Sequence, residues 1–218
     1  MKGKTTVLFI LILLLIDQSI KVYIKTHFYY GEEVRVFDWF RIHFIENPGM
    51  AWGLKLGTGD AGKLALTLFR LAAVIWGFFY LRKIIREKYH TGFIISACFV
   101  YAGAFGNLID SLFYGLIFEK SDPALQNIAQ AFTQHSGYAG LGFGHVVDMW
   151  YFPMVRTMLP QWVPIWGGDD LEFFSPVFNT ADVWVSAGVI SILVFQKRFF
   201  KKQPSQTPAP DQEIPLSL

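Results

Sequence analysis

Cysteine is nearly absent from this sequence: the single one among 218 residues is Cys98, which lies within an apolar run. An intrachain disulfide is therefore impossible, and a metal site built on thiolates is excluded. No spacing of the few histidines with carboxylates indicates a metal centre either, so we expect no cofactor. Charged residues make up only 17% of the chain and the net charge is +2, which is too small to predict nucleic-acid binding.

Long apolar runs dominate instead, and 53% of the residues are hydrophobic. Runs of about 20 apolar residues match the hydrocarbon thickness of a bilayer. The sequence therefore predicts an integral membrane protein with four transmembrane helices, at about residues 5–23, 62–81, 92–118 and 182–199. The first run has the size of a signal-peptide core, but no small-x-small cleavage site follows it, so we interpret it as a retained span.

Basic residues cluster in three segments that flank the predicted spans, at 2–4, 82–88 and 197–202. Four crossings place all three segments on one side, and the positive-inside rule assigns that side to the cytoplasm. We therefore predict a multi-pass protein with both termini in the cytoplasm. The segments that join spans one and two, and spans three and four, then lie outside.

The two outer segments differ in composition. Residues 34–45 alternate partly and are rich in aromatic and branched side chains, which predicts strands in an outer β region at about 30–59. Residues 119–175 are long for a connection, and we expect a short helix over 122–132 and a flexible glycine stretch over 137–144.

The predicted fold is thus a four-transmembrane-helix bundle with a small β-sheet and an extended loop and helical region on the outer, periplasmic face. We expect residues 1–202 to form this single domain. The tail at 203–218 is rich in proline, serine and glutamine, which predicts a disordered cytoplasmic segment.

Ionisable side chains within predicted spans are candidates for a functional site. Asp17 lies toward the outer end of span one, Asp110 toward the outer end of span three, and Asp182 opens span four from outside. Arg70 lies in the outer half of span two. Since a helix rises about 1.5 Å per residue, all four are expected in one layer near the outer membrane boundary.

Five short motifs occur along the chain in a fixed order. Each is weak alone, but together, on a four-span background, they resemble the lipoprotein signal peptidase family, also called signal peptidase II. The resemblance covers about residues 7–199. The motifs are Asp17-Gln18 with Lys21, Glu46-Asn47 with Gly49-Met50-Ala51-Trp52-Gly53, Gly103 through Asp110, Val146-Val147-Asp148, and Phe178-Asn179-x-Ala181-Asp182.

This resemblance implies an intramembrane aspartic endopeptidase that removes the signal peptide from diacylglyceryl-modified prolipoproteins, cleaving just before the lipidated cysteine. It further implies a monomer of the bacterial inner membrane that contacts membrane lipids, acts near the outer leaflet and binds peptide antibiotics that mimic the substrate. The family's catalytic pair falls on Asp148 and Asp182. Its supporting polar residues fall on Asp17, Asn47, Asn107, Asp110 and Asn179.

Two carboxylates suit this chemistry for a physical reason. Amide hydrolysis without a metal or a nucleophilic side chain needs an activated water, and two close aspartates in a poorly hydrated site share a proton because they cannot both ionise easily. The ionised member takes a proton from water, and the protonated member hydrogen-bonds the scissile carbonyl. Asn179 lies three residues before Asp182, close to one helical turn, where we expect it to orient that carboxylate.

The chain departs from the family's pattern in two ways. Ser111 stands where the family usually carries arginine, and we take Arg70 as the candidate replacement. The segments 119–143 and 151–174 are additional, and we interpret them as external elaborations that cap the site or contact substrate.

Simpler interpretations apply to several residues taken alone. Asp148 would be a loop carboxylate, and Asp182 a helix N-cap, which is compatible with catalysis. We expect Lys21 and Lys25 to meet lipid headgroups, and His145 to be structural or solvent-facing.

Three other functions compete with the peptidase. A small proton-coupled transporter would use the same polar cluster, but it predicts carboxylates spread across the bilayer. A presenilin-type protease needs Gly-x-Gly-Asp, whereas Gly142-Phe143-Gly144 is followed by His145. A non-catalytic lipid-binding subunit would tolerate Asp148→Asn and Asp182→Asn. In the peptidase, we expect the outer loop that carries Asn47 to close over the substrate.

Overall fold

A computed structural model of the protein describes residues 2–48, 60–158, 160–162, 168, 170–173 and 176–200, with only the backbone given at 155–157 and 170–173. The motif at 49–53, the end of the predicted β region up to residue 59 and the predicted disordered tail lie outside these residues. The elements are α1 Gly3–His27, β1 Glu33–Phe37, β2 Phe40–Asn47, α2 Asp60–Arg86, α3 Thr91–Ile109, a π-helix Asp110–Tyr114, α4 Gly115–Ile117, β3 Val146–Tyr151, β4 Val155–Met158, β5 Asp170–Phe173 and α5 Thr180–Phe199.

Three helices in the described part of the chain are long and apolar enough to cross a membrane: α1, α2 and the helical stretch Thr91–Ile117. They match the first three predicted spans, and α1 and α2 extend beyond the predicted limits. The fourth predicted span coincides with α5, which is the same element shifted by two residues at its start.

Helix α3 lies at the centre of the bundle and packs against α1, α2 and α5. Small residues let α3 and α5 approach closely. A Cβ atom on Gly103 would lie 2.3 Å from the carbonyl oxygen of Ala181, and one on Gly188 would lie 2.5 Å from that of Ser96. Such small-residue contacts are typical of membrane helices. Because of this close crossing, the first turn of α5, which carries Asp182, packs directly against α3.

A three-stranded antiparallel sheet with the order β1-β2-β3 lies beside the bundle. The expected strands are therefore present, and the simpler interpretation of Asp148 as a loop carboxylate is wrong, because Asp148 is part of β3. In the register of β2 and β3, Ile45 lies opposite Asp148 and Glu46 lies opposite Val147. One face of this sheet packs against the bundle, in a cluster formed by Ile24, Phe44, Tyr114, Phe118, Val147 and Met149.

The insertion at 119–143 contains no helix over 122–132, where one was predicted. A turn is present instead, in which the Asp122 carboxylate accepts a hydrogen bond from the backbone N–H of Ala124 at 2.8 Å. Such a local side-chain bond competes with helix formation, and Gln126 follows in the left-handed region with φ +48°. The glycine stretch predicted to be flexible is hydrogen-bonded, since Gly144 N–H donates to the carbonyl of Ser111 at 2.9 Å.

Candidate active site

The two candidate catalytic aspartates come from β3 and from the start of α5. A short backbone bridge joins these segments: the N–H groups of Met149 and Trp150 donate to the carbonyl of Phe178 at 3.1 and 2.7 Å, and Phe178 N–H donates back to Trp150 at 3.0 Å. This bridge fixes the residues that precede α5 against the strand that carries Asp148. Asp182 therefore begins its helix beside Asp148.

Asn179 connects both carboxylates. Its side-chain oxygen accepts from Asp182 N–H at 3.1 Å, and its own N–H donates to the Asp182 carboxylate at 3.2 Å, which is a reciprocal helix cap. Its side-chain Nδ2 donates to Asp148 Oδ1 at 2.6 Å. Asp182 is thus part of the N-terminal cap of α5, as the simple interpretation expected, and the cap also holds Asp148.

Asp148 is almost fully buried, with 3% of its surface exposed. Burial raises the pKa of its carboxyl group, and the nearby Asp182 raises it further, to about 7. Hydrogen bonds from the side chains of Asn179 and Asn47 oppose this rise. A carboxyl group with such a pKa exchanges its proton near neutral pH, as a general acid or base must.

Asn47 reaches the site from the end of β2. Its partner in the register is Val146, so Asn47 and Asp148 lie on the same face of the sheet. The structure therefore places its side chain where it bonds the candidate catalytic carboxylate. The loop that follows Asn47 lies outside the described residues, so its predicted closure over substrate stays a prediction.

A polar network within the bundle supports Asp182. Asn107 Nδ2 donates to Asp182 Oδ1 at 3.0 Å, and Lys21 Nζ donates to Asn107 Oδ1 at 2.9 Å. The same ammonium group lies 2.7 Å from Asp110 and 3.2 Å from Asp17. The expectation that Lys21 meets lipid headgroups is wrong, because its side chain is fully buried among these carboxylates. The spacing of Asp17 and Lys21, one helical turn apart, was the available signal.

Two further residues complete the network and were not assigned a role from sequence. Gln18 Nε2 donates to Asp17 at 3.0 Å and to Asp110 at 2.9 Å, and its oxygen accepts from the Tyr114 hydroxyl at 3.1 Å. Gly106 allows Asp17 to approach α3, since a Cβ atom there would lie 2.5 Å from the Asp17 carboxylate.

Arg70 enters the site from α2. Its Nη1 donates to Ser111 Oγ at 2.7 Å, and that hydroxyl donates to the carbonyl of Asn107 at 3.0 Å. The guanidinium also lies within electrostatic reach of Asp148 and Asp182. The four ionisable residues expected in one layer, which are Asp17, Arg70, Asp110 and Asp182, thus meet in a single cluster.

A second polar cluster lies behind the sheet, on the face opposite Asp148. Lys25 was expected at lipid headgroups, but this expectation is wrong: its side chain is fully buried and pairs with Glu46. His145 Nδ1 lies 3.2 Å from the other oxygen of Glu46, so this histidine is structural, as expected. In the described ranges, no group of three or more His, Cys, Asp or Glu residues is arranged to hold a metal ion.

Comparisons with known proteins agree with this arrangement. The sequence profile of the family described as "Signal peptidase (SPase) II" matches residues 9–198. The lipoprotein signal peptidase of Porphyromonas gingivalis is 44% identical over 90% of this chain and 84% of that protein. The corresponding protein of Amoebophilus asiaticus is 31% identical over 90% of this chain and 78% of its own length.

The fold also matches solved structures. A bacterial membrane enzyme determined by the in meso method at 2.3 Å resolution aligns with a TM-score of 0.56 and 22% identity, covering 94% of this chain and 96% of the other. A second such structure, at 1.9 Å, aligns with a TM-score of 0.57 and 21% identity over 92% and 96%. Because the family profile spans most of the chain and relatives of the same family align over nine tenths of it, this protein belongs to the signal peptidase II family.

Proposed function

We propose that this protein removes the signal peptide from diacylglyceryl-modified prolipoproteins, as an intramembrane aspartic endopeptidase that cleaves before the lipidated cysteine. The observation that carries the proposal is the convergence of Asp148 and Asp182, from segments distant along the chain, on Asn179, whose side chain donates to the Asp148 carboxylate and whose backbone N–H donates to the Asp182 carboxylate. The relatives that align over most of the chain are named lipoprotein signal peptidases.

The reaction follows from the shared proton of the pair. The ionised aspartate accepts a proton from a water molecule, and the water oxygen forms a bond to the scissile carbonyl carbon. The protonated aspartate donates a hydrogen bond to the carbonyl oxygen and then helps to protonate the leaving nitrogen as the C–N bond breaks. The products are a carboxylate at the end of the signal peptide and a free amine on the lipidated cysteine. Because the pair titrates as a unit, the roles belong to the pair.

The supporting residues hold this pair in place. Asn107 orients Asp182, and Lys21 orients Asn107 while neutralising Asp17 and Asp110. Arg70 supplies the cationic contact that the family usually takes from the position of Ser111. Its hydrogen bond to Ser111 and its electrostatic reach to the pair support this role.

The topology of the proposal has four crossings, with α5 as the fourth, both termini in the cytoplasm and the site near the outer leaflet of the inner membrane. Large exposed apolar side chains on the three apolar helices and α5, such as Leu15, Phe69, Phe113 and Val194, support contact with lipid. A lipidated precursor enters sideways, with its acyl chains remaining in the bilayer. One chain carries both aspartates, so a monomer suffices, and peptide antibiotics that mimic the substrate compete for the site.

The test is cleavage of a purified diacylated precursor by the full-length protein in detergent or nanodiscs. The wild type should release the signal peptide, while Asp148→Asn and Asp182→Asn should not. Asp122→Asn is a matched control, because it removes an outer carboxylate that bonds only local backbone. Equal turnover by the wild type and either catalytic variant would exclude the mechanism. The transporter alternative has no support, since the carboxylates cluster at one place.

A further inference from the structure

Behind the sheet lies a buried ion pair that the proposed mechanism does not use. The side chains of Lys25 and Glu46 are 0% and 4% exposed, and Lys25 Nζ donates to Glu46 Oε1. Ser121 completes a triangle: its hydroxyl accepts from Lys25 at 3.1 Å and donates to Glu46 at 2.7 Å. Three segments far apart along the chain therefore meet at one carboxylate.

Tyr138, in the insertion at 119–143, and His145, two residues after its end, complete a cage around the Glu46 carboxylate. His145 Nδ1 lies 3.2 Å from Glu46 Oε2, and the backbone N–H of His145 donates to the Tyr138 hydroxyl at 2.8 Å. The rings of Tyr138 and Phe118 flank the Lys25 ammonium group at 5.3 and 5.5 Å. Such contacts between a cation and an aromatic ring are favourable, more so where water is excluded. Glu46 thus accepts hydrogen bonds on both oxygens, from Ser121 in the insertion and from His145 just after it.

Strand geometry links this cage to the candidate catalytic site. Successive side chains of a strand point to opposite faces of the sheet. Glu46 therefore lies on one face, with Phe44 and Val147, while its neighbour Asn47 lies on the other face, with Asp148. His145 directly precedes β3, three residues before Asp148. The cage therefore holds β2 in position at Glu46, the residue next to Asn47. It also holds His145, which precedes the strand that carries Asp148.

The energetics favour a role in positioning. A buried ion pair is often no more stabilising than well-packed apolar side chains of the same volume. Several directional hydrogen bonds to one carboxylate, however, restrict the positions and orientations of its partners. Apolar contacts are non-directional and restrict them less. The apolar cluster around Phe44 already holds the sheet against the bundle, so the ion pair adds direction to that contact.

We propose that Glu46 is a positioning residue for peptide cleavage and that the insertion at 119–143 serves to complete the cage around it. Glu46 acts through Asn47 and through the β2–β3 register, and it does not touch the substrate. This inference rests on the proposed peptidase function. It assigns to the insertion at 119–143 a supporting role, beside the interpretation from sequence that it caps the site or contacts substrate.

The test compares steady-state cleavage by full-length wild type and Glu46→Gln. We expect kcat to fall about 10- to 100-fold with KM within about twofold, because small misplacements of reacting groups have effects of this size. Glu33→Gln is the matched control: it removes a carboxylate from the same hairpin, where it pairs with Arg41 on a partly exposed surface. Its kcat should equal that of the wild type.

A pH profile separates positioning from a general loss of structure. The Asn47 hydrogen bond holds the pKa of Asp148 down, against burial and the charge of Asp182. If Glu46→Gln displaces Asn47, the alkaline limb of the profile should move to higher pH, which a merely smaller folded fraction would not cause. The other charged groups near Asp148 are Lys21 from α1 and Arg70 from α2, and the substitution leaves both in place.

If Glu46→Gln fails to fold, the double variant Lys25→Met with Glu46→Gln decides, because it leaves no buried unpaired charge. Folded protein with a reduced kcat supports the proposal. A wild-type kcat in any folded variant that lacks the Glu46 carboxylate overturns it, and so does a higher KM with unchanged kcat. Failure of the wild type to cleave the precursor would instead contradict the proposed function.

Discussion

The two faces of the β2–β3 ladder carry buried carboxylates with opposite electrostatics. Behind the sheet, burial alone would raise the pKa of Glu46, but the hydrogen bond from His145 and the charge of Lys25 hold it below its ordinary value. In front, burial and the neighbouring Asp182 raise the pKa of Asp148 to about 7, and the amide groups of Asn179 and Asn47 do not offset them.

The difference lies in the partners, since both groups are almost completely buried. A carboxylate that faces an ammonium group stays ionised and serves as a fixed anchor. A carboxylate that faces amides and a second carboxylate keeps its proton near neutral pH and is available for proton transfer. Strongly perturbed groups of the second kind are enriched at functional sites, so the contrast distinguishes the candidate catalytic carboxyl group from a supporting one within one small sheet.

The largest expected effect is that of Asp148→Asn, which should separate activity from stability. Cleavage should fall by about 10³-fold or more, since general acid–base catalysis contributes up to about 10⁴-fold. Because the folded pKa of Asp148 is raised from 3.8 to about 7, its protonation contributes stability that is fully present below pH 3.8 and is lost as pH rises through about 7. The wild type should therefore lose up to about 1.4 kcal/mol of unfolding free energy per pH unit in that window.

Thermal unfolding at pH 6 and pH 8 checks this prediction. The wild type should melt at a lower temperature at pH 8, while Asp148→Asn should change less between the two conditions. A parallel decline of both proteins would show that another group is responsible.

Arg70→Met should have the second-largest effect on cleavage. It tests whether the cluster around Asp148 and Asp182 needs a cation. We expect cleavage to fall about 100-fold, as for the loss of one charge-stabilising donor in other enzymes, while the protein still inserts and folds. Arg82→Met is the control, because Arg82 lies at the other end of α2 over the ring of Phe78. Near-normal turnover by Arg70→Met would remove Arg70 from the site.

Glu46→Gln tests, through the free energy of unfolding, whether Glu46 is a paired and ionised carboxylate, in contrast to Asp148. Because the pKa of Glu46 is lowered in the folded protein, its ionised carboxylate contributes stability that is fully present above pH 4.5, its ordinary pKa. This contribution is lost as pH falls through the lower folded pKa. Breaking a buried pair typically costs about 3–5 kcal/mol, so this variant should be less stable than the wild type at neutral pH and less sensitive to acid. Chemical unfolding at pH 7 and pH 3 measures both effects, and equal stability of the two proteins at pH 7 would contradict the pairing.

Ser111→Ala should have the smallest effect. It removes the hydrogen bond that the hydroxyl accepts from Arg70 and the local one that it donates to the carbonyl of Asn107, and it leaves the guanidinium in place. A net hydrogen bond is worth about 0.5–1.5 kcal/mol, or about 2- to 13-fold in rate. A loss as large as that of Arg70→Met would mean that the serine itself takes part in the reaction.

Much of this arrangement was predictable from the sequence. Apolar run lengths located the four long helices, and five ordered motifs identified the family and gave Asp148 and Asp182 as the candidate pair. The short spacing of Asn179 and Asp182 predicted their contact, because residues within one helical turn meet whatever the rest of the chain does.

The remaining features required the tertiary structure. Lys21 and Lys25 were expected at lipid headgroups because a lysine near a membrane boundary usually extends toward water, but each has buried carboxylate partners from other segments. Strand β3 went unrecognised for a similar reason, since it pairs with β2 across about a hundred residues and its Asp148 interrupts an apolar run.

The sequence alone determined where the apolar helices lie, which family the chain resembles and which carboxylates are candidates for catalysis. Only the tertiary structure decided which of the buried charges are paired. Run length and local spacing are properties of neighbouring residues, whereas the protonation of a buried carboxylate depends on groups that reach it from distant segments. The same amino-acid chemistry therefore produces an anchor at Glu46 and a proton-exchanging group at Asp148.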